Sequence, residues 1–127
     1  MAKTFEELEC WKMAIELDAQ VYELVMNGKI FYPTSLRDRM LRSVGSIADN
    51  IAEGFERGGN KEFIQYLFIA KGSCGELRSQ FHRSKRRKLI DEETFTKYYN
   101  DCRTVSVKLS NLITHLKKSD FKGNKYV

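Results

Sequence analysis

Long stretches of helix-forming sequence, almost without interruption, constrain this chain more than any other feature. In the third stretch, apolar side chains recur at alternating intervals of four and three residues, which is the spacing of one face of an α-helix. These positions are Phe63, Leu67, Ala70, Cys74, Leu77 and Phe81. Pro33 is the single proline among 127 residues. Because proline and glycine punctuate strand-and-turn folds, this scarcity favours long helices.

Three short breaks divide the chain into four segments of similar length. They are residues 28–33, the pair Gly58-Gly59, and residues 88–90. Four long helices with short connections are typical of a four-helix bundle. We therefore predict an all-α, antiparallel up-down-up-down four-helix bundle, with helices at about residues 5–27, 35–57, 60–87 and 91–118. The bundle forms one domain of residues 1–119, and residues 120–127 are expected to be a flexible tail.

Local signals add detail to two of these helices. Thr4 and Glu7 have the spacing of a capping box at the start of helix 1. Gly72 and Gly75 lie inside predicted helix 3, where each costs about 1 kcal/mol relative to alanine. That cost predicts either the close approach of a neighbouring helix or a kink.

Helices 1 and 3 carry more apolar residues than one core-facing stripe requires. In helix 1 the apolar residues occupy two separate sides, and residues 63–70 of helix 3 are apolar nearly all round. Since a helix that is apolar all round must be buried all round, we expect a homo-oligomer. The alternative is that the loops and the C-terminal tail cover this surface.

Signatures of catalysis, metal binding and membrane insertion are missing from the sequence. Neither His82 nor His115 belongs to a Glu-x-x-His pair, and no phosphate-binding or dinucleotide-binding glycine motif occurs. Cys10, Cys74 and Cys102 are far apart and form no zinc-type cluster, so we read them as buried thiols. The sequence has no bilayer-spanning apolar run and no signal-peptide core. These features predict a cytoplasmic protein that is not an enzyme and needs no metal or cofactor.

The net charge of +5 is concentrated in one part of the chain. Residues 71–88 hold seven basic residues and one acidic residue, whereas residues 1–27 hold two basic and six acidic residues. A basic cluster of this kind predicts non-specific binding of nucleic-acid phosphates. The aromatic residues fall mostly on core positions, which leaves no evident platform for stacking bases. The candidate binding residues are Arg78, His82, Arg83, Lys85, Arg86, Arg87 and Lys88.

A structural explanation for part of this charge remains open. Lys71, Arg78 and Lys85 are seven residues apart, and so are the three acidic residues of helix 1, Glu9, Glu16 and Glu23. Ridges of opposite charge with this spacing flank the contact of packed helix pairs. They could pair within one chain or between subunits, leaving Arg83, Arg86, Arg87 and Lys88 for a partner.

Two segments of the chain resemble a known family. Residues 46–54 read Ser-Ile-Ala-Asp-Asn-Ile-Ala-Glu-Gly, and residues 70–77 read Ala-Lys-Gly-Ser-Cys-Gly-Glu-Leu. With Leu8, Trp11 and Ala14 in helix 1, they are similar to the S23-type proteins. These small bacterial four-helix proteins are encoded in intervening sequences of large-subunit rRNA genes. The similarity extends from about residue 5 to 117.

The resemblance implies an antiparallel four-helix bundle that assembles as a homopentameric ring. It also implies similarity in fold to the accessory variability protein of diversity-generating retroelements, a basic pentamer that binds RNA and a reverse transcriptase. Where many members have a Leu-Gly-Tyr-like turn after helix 3, this chain has the basic residues 82–88. This departure strengthens the basic end of the helix.

The polar side of helix 2 has two interpretations. It carries Arg42, Ser46, Asn50, Glu53 and Arg57. Together with Gly72 and Gly75, these residues are our candidates for a polar network at a subunit interface. Buried polar groups in such a network must form hydrogen bonds with one another. The same residues would also suit a ligand groove.

These observations predict a non-enzymatic, oligomeric helical protein that binds RNA or DNA non-specifically through the basic end of helix 3. Its expected partners are further copies of itself and a nucleic acid, and no membrane. The alternative is a protein-interaction scaffold that docks a partner such as a reverse transcriptase.

Overall fold

Four long helices make up the structure, as the sequence predicted. The computed structural model describes the backbone of residues 2–126 and the side chains of residues 2–119. The helices are α1 (Glu9–Tyr22), α2 (Thr34–Glu56), α3 (Asn60–Arg86) and α4 (Glu92–Tyr126). No strand occurs within the described residues. The all-α four-helix bundle is thereby confirmed.

The order of the helices around the bundle decides which surfaces can meet. α1 packs against α2 and α4, and α3 also packs against α2 and α4. α1 and α3 are therefore diagonally opposite, and their outer faces point away from each other. Because the chain alternates in direction, the α1–α2 and α3–α4 connections lie at the same end of the bundle.

The first helix is less regular than predicted. A 3-10 helix at Phe5–Glu7 is separated from α1 by Leu8, whose backbone is extended, and a π-helix at Glu23–Asn27 follows α1. The predicted capping box is wrong, since the Thr4 side chain caps nothing. In the tight 3-10 turn, the Thr4 carbonyl accepts from the Glu7 N–H over 3.2 Å. The Glu7 carboxylate instead accepts from the Lys3 N–H over 2.7 Å.

The fourth helix begins at a side-chain cap and is longer than predicted. The backbone N–H of Thr94 donates to Asp91 Oδ1 over 2.8 Å, which satisfies one of the free N–H groups of the first turn. The helix was expected to end near residue 118 but continues to Tyr126. No proline follows residue 116, and Lys117 and Lys118 are good helix formers. The side chains of the predicted tail at 120–127 lie outside the described residues.

The close approach of two helices occurs at a glycine that the sequence analysis did not single out. A Cβ on Gly54 of α2 would lie 2.5 Å from Tyr66 Cβ of α3, so only glycine fits there. A Cβ on Gly72 would meet nothing within 4 Å, and one on Gly75 would meet only Arg78, at 3.8 Å. The close approach predicted at Gly72 and Gly75 is therefore absent within the described part of the chain.

The three cysteines are buried in the core, as the sequence predicted. Burial raises the pKa of Cys10 to about 11 and the pKa values of Cys74 and Cys102 to about 12. At neutral pH these thiols are protonated and behave as small apolar side chains.

Candidate nucleic-acid interface

The end of α3 is closed by a backbone motif that normally contains glycine. The N–H of Leu89 donates to the Ser84 carbonyl over 2.9 Å, and the N–H of Lys88 donates to the Lys85 carbonyl, also over 2.9 Å. This bonding pattern is the Schellman motif, which requires one residue in the left-handed conformation. That residue is Lys88, with φ of 61°. A side chain in this conformation costs roughly 1–2 kcal/mol, so a lysine is held here at the expense of stability.

Four cations of this segment form what we call the basic end, namely Arg83, Arg86, Arg87 and Lys88. All four are exposed. Among the described residues, none lies within 4.0 Å of a carboxylate oxygen. Their charge is therefore not neutralised by the bundle itself.

The other three predicted binding residues point toward α4. Lys85 Nζ lies 2.7 Å from Glu92 Oε2 and 4.6 Å from the centre of the Phe95 ring, so its charge is already paired. The His82 ring packs against Phe95, with 4.8 Å between ring centres. Arg78 is half-buried, with its guanidinium carbon 5.9 Å from the centre of the Tyr99 ring. The structure thus divides the predicted set of seven residues into four exposed cations without a carboxylate partner among the described residues and three side chains that contact α4.

An exposed aromatic side chain lies at the same end of the bundle, contrary to our expectation that no stacking platform exists. Phe31, in the α1–α2 connection, is 80% exposed. The next residue, Tyr32, is buried beside Ser84 of α3, and this burial raises the pKa of its phenol. Within the described residues, the Tyr32 hydroxyl forms no hydrogen bond. Tyr32 thus anchors the connection next to the basic end.

The acidic and basic ridges do not pair within the chain. Glu9 and Glu16 lie on α1, and Glu23 begins the π-helix that follows it. α1 is diagonally opposite α3 and its basic ridge. Lys71 and Arg78 instead line a groove between α3 and α4 with Arg103, Tyr99, Ser106 and Ser110. The sequence analysis missed Arg103, because only the antiparallel pairing of α3 with α4 brings this isolated cation to the groove.

The polar residues of α2 form a hydrogen-bonded seam with α3. Ser46 Oγ lies 2.9 Å from Ser73 Oγ, and Ser43 Oγ donates to Glu76 Oε1 over 2.5 Å. Asn50 Nδ2 donates to both the carbonyl and the hydroxyl of Ser46, over 2.7 and 2.8 Å. We call these five residues the polar seam. It joins residues of the two segments on which the family resemblance depends.

The remaining candidates of the polar network lie outside the seam. Arg57 forms ion pairs with Glu53 at 3.5 Å and with Glu62 at 4.0 Å, and its guanidinium lies over the Tyr66 ring. Arg42 is exposed and lines a shallow depression on α2 that also contains Asp49 and Glu53. Sequence reasoning identified Ser46 and Asn50 but not Ser43, Ser73 and Glu76, whose role depends on the register of α2 against α3.

Metal-binding clusters and membrane-spanning helices are absent from the described residues. No group of three or more histidine, cysteine, aspartate or glutamate side chains suited to a metal ion occurs in the part of the chain that the structure describes. No described helix is both long enough and apolar enough to cross a membrane.

Comparison with known proteins identifies a family and a similar fold. Residues 6–111 match the family model of the 23S rRNA-intervening sequence protein. A crystal structure of a protein of unknown function from the S23 ribosomal protein family, from Bacteroides thetaiotaomicron, superposes with a TM-score of 0.73. Its sequence is 24% identical, and the alignment covers 83% of this chain and 95% of that chain. No curated protein matches the chain.

Proposed function

The chain belongs to the 23S rRNA-intervening sequence protein family, and from this premise we propose that it is a non-enzymatic helical protein that binds RNA or DNA through its basic end. We further propose that it associates with copies of itself, as a homopentamer by its resemblance to the family. One observation carries the proposal of nucleic-acid binding. Four exposed cations within six residues have no carboxylate partner among the described residues.

Phosphate groups are the ligands that suit the basic end. Guanidinium groups bind phosphate oxygens in a bidentate manner, and each neutralised phosphate releases counterions from the nucleic acid. Arg83 and Arg86 project from the last turn of α3 and Arg87 is its C-cap residue. Here they can follow a nucleic-acid backbone without reading a base sequence. Binding of this kind is independent of sequence and weakens as salt is added.

Phe31 gives the basic end a preference for unpaired bases. An exposed aromatic ring stacks on any base that is not paired, and such stacking is worth about 1–3 kcal/mol per base. Because Tyr32 fixes the α1–α2 connection beside Ser84, the exposed Phe31 ring is held at the same end of the bundle as the basic end. Single-stranded RNA or DNA is therefore the favoured ligand.

Charge reversal with a matched control tests the proposal. The variant R83E/R86E/R87E is expected to lower affinity for a single-stranded RNA by at least tenfold while the circular dichroism of the bundle is retained. The control K3E/K61E/K118E makes the same change in net charge with exposed residues away from this end. We expect the control to lower affinity less than threefold.

The substitution Phe31→Ala separates stacking from charge. It is expected to weaken binding of the single strand more than binding of a duplex of equal length. Equal affinities of wild type and R83E/R86E/R87E would contradict the proposal. A host protein that stays bound to the wild type after nuclease treatment would instead favour a scaffold that docks a partner.

A further inference from the structure

The outer face of α1 carries an apolar stripe that its own bundle leaves exposed. Ile15 is 43% exposed and Tyr22 is 46% exposed. Ala19 lies between them and is also exposed. These three residues, spaced four and three apart, form the α1 stripe. In the π-helical segment that follows, Met26 is 42% exposed and extends the same apolar face.

The outer face of α3 is also apolar, and it is flat. Phe68 is 47% exposed and Ile69 is 51% exposed. Gly72 and Gly75 follow on the same side of the helix, and a Cβ on Gly72 would meet nothing within 4 Å. Phe68, Gly72 and Gly75 form the α3 stripe, where the absence of side chains leaves room for those of another helix.

Each stripe has a charged ridge of opposite sign on one flank. Beside the α1 stripe lies the acidic ridge of Glu9, Glu16 and Glu23, and beside the α3 stripe lie Lys71 and Arg78. Along a helix, seven residues advance about 10.5 Å, so both ridges place their charges at the same interval. None of these five residues forms an ion pair within the described residues.

We infer that the α1 stripe of one copy packs in parallel against the α3 stripe of a second copy, with the acidic ridge beside Lys71 and Arg78. This inference rests on the self-association proposed above and names the surfaces that carry it. Side chains of the α1 stripe fill the space over Gly72 and Gly75, and the ion pairs close one side of the contact.

The contact has to form between copies because α1 and α3 are diagonal in the bundle. The two stripes of one chain face in opposite directions and cannot meet. Two different surfaces that pair in this way form a heterologous interface, which closes into a ring when the rotation permits. Each copy then contacts one neighbour through its α1 stripe and the other neighbour through its α3 stripe.

The positions of the ridges determine the parallel orientation. At about 100° per residue, the acidic ridge lies clockwise of the α1 stripe when α1 is viewed from its N-terminus. In the same view of α3, Lys71 and Arg78 lie counter-clockwise of the α3 stripe. When the two stripes face each other, the ridges fall on the same side only if the helices are parallel. α1 and α3 already run in the same direction within each bundle, so a ring whose axis follows the bundle axis keeps them parallel.

Reversing each ridge separately and then both together tests this pairing. E9K/E16K and K71E/R78E each place like charges across the interface, and each is expected to weaken association at least tenfold. The combined variant E9K/E16K/K71E/R78E restores opposite charges and is expected to recover association to within threefold of the wild type. The control E6K/E56K changes the net charge by the same amount as E9K/E16K and is expected to leave association unchanged. Light scattering measures the mass at micromolar concentration.

A steric variant gives an independent measurement that does not depend on charge. Gly72→Trp adds a side chain where the described chain leaves open space, so the bundle is expected to fold and the interface to be blocked. The scattering mass should fall toward the 14.8 kDa of one chain. The control Asn111→Trp, at an exposed site on α4, should keep the mass of the wild type.

The outcomes distinguish this inference from the proposal on which it rests. A wild-type mass of one chain overturns both the self-association and the interface. A wild-type oligomer that persists in Gly72→Trp and in both single-ridge variants overturns the interface alone. Loss in the single-ridge variants without recovery in the combined variant overturns the pairing of the ridges.

Discussion

The hydroxyl oxygens of Ser46 on α2 and Ser73 on α3 lie 2.9 Å apart. Ser46 begins the segment of residues 46–54, and Ser73 belongs to the segment of residues 70–77, which together carry the family resemblance. Gly54, at the end of the first segment, lets α2 approach Tyr66 of α3. The most distinctive residues of the chain therefore hold α2 against α3, and we assign them a role in packing.

A double-mutant cycle measures the strength of this contact. Ser46→Ala and Ser73→Ala are each expected to lower the free energy of unfolding, and the two changes should couple by about 0.5–1.5 kcal/mol, the usual net value of a hydrogen bond. Urea unfolding of the two single variants and the double variant gives the coupling. Ser46→Ala combined with Ser84→Ala serves as the control, because Ser84 contacts Met40 instead. Fully additive changes at Ser46 and Ser73 would show that the hydroxyls do not interact.

Two glycines of α2 are expected to respond to alanine in opposite ways. Gly54→Ala places a Cβ 2.5 Å from Tyr66 Cβ and should lower the free energy of unfolding by about 1–3 kcal/mol. Gly45→Ala places a Cβ 3.7 Å from Asp18 Oδ1, an ordinary contact, and should raise the free energy by up to about 1 kcal/mol through helix propensity. Urea unfolding of both variants checks this contrast. Equal effects would mean that the close approach of α2 and α3 is incorrect.

Helix positions were predictable from the sequence because apolar spacing and breaks depend on local residues. The predicted 35–57 and 60–87 agree with α2 and α3 to within one residue at each end. The extended backbone at Leu8 and the π-helix at Glu23–Asn27 were not predictable, since the apolar pattern continues through both. The spacing of Glu9 and Lys71 indicated complementary ridges. It contained no information on whether α1 and α3 are adjacent or diagonal.

The left-handed conformation of Lys88 predicts opposite effects of one substitution on stability and on binding. Lys88→Gly should raise the free energy of unfolding by about 1 kcal/mol, because glycine adopts positive φ without strain. It should also weaken nucleic-acid binding, since one of the four cations is lost. Urea unfolding and a binding titration on the same samples measure both effects.

Lys108 provides the matched control for this substitution. Lys108→Gly, inside α4, should lower the free energy of unfolding by about 1 kcal/mol and leave binding unchanged. A loss of stability in Lys88→Gly comparable to that in Lys108→Gly would contradict the backbone geometry of the basic end.

The cap of α4 makes part of the stability dependent on pH. The Thr94 side chain and the Thr94 backbone N–H lower the pKa of Asp91 below its ordinary value of 3.8. Because the folded pKa is the lower one, the stabilisation is present above pH 3.8 and is lost as the pH falls through the folded pKa. Asp91→Ala should therefore be less stable than the wild type at pH 7, and the difference should shrink below pH 3.8.

Asparagine at the same position separates capping from charge. Asp91→Asn retains an oxygen acceptor and should keep much of the stability at pH 7 without the pH dependence. Urea unfolding at several pH values compares the three proteins. A difference between wild type and Asp91→Ala that stays constant from pH 7 to pH 3 would show that the ionised carboxylate does not cap the helix.

The candidate binding site was predictable in part, because charge is visible in the sequence and exposure is not. Arg83 to Lys88 were identified by their composition, but the pairing of Lys85 with Glu92 depends on the turn between α3 and α4. Phe31 resembled a core residue by type, and only the structure shows that its side chain is exposed while the neighbouring Tyr32 is buried. The candidate site therefore combines a cluster of cations that is visible in the sequence with two features that only the fold determines. These are the ion pair of Lys85 with Glu92 and the exposure of Phe31.

The salt dependence of nucleic-acid binding by the wild type tests the central claim most directly. The affinity for a labelled single-stranded RNA is measured by fluorescence anisotropy from about 50 to 300 mM salt. Neutralisation of about four phosphates by one basic end predicts a slope of about −2.8 in log affinity against log salt, and more subunits make it steeper. No binding at about 50 mM salt, or an affinity that does not change with salt, would contradict the account.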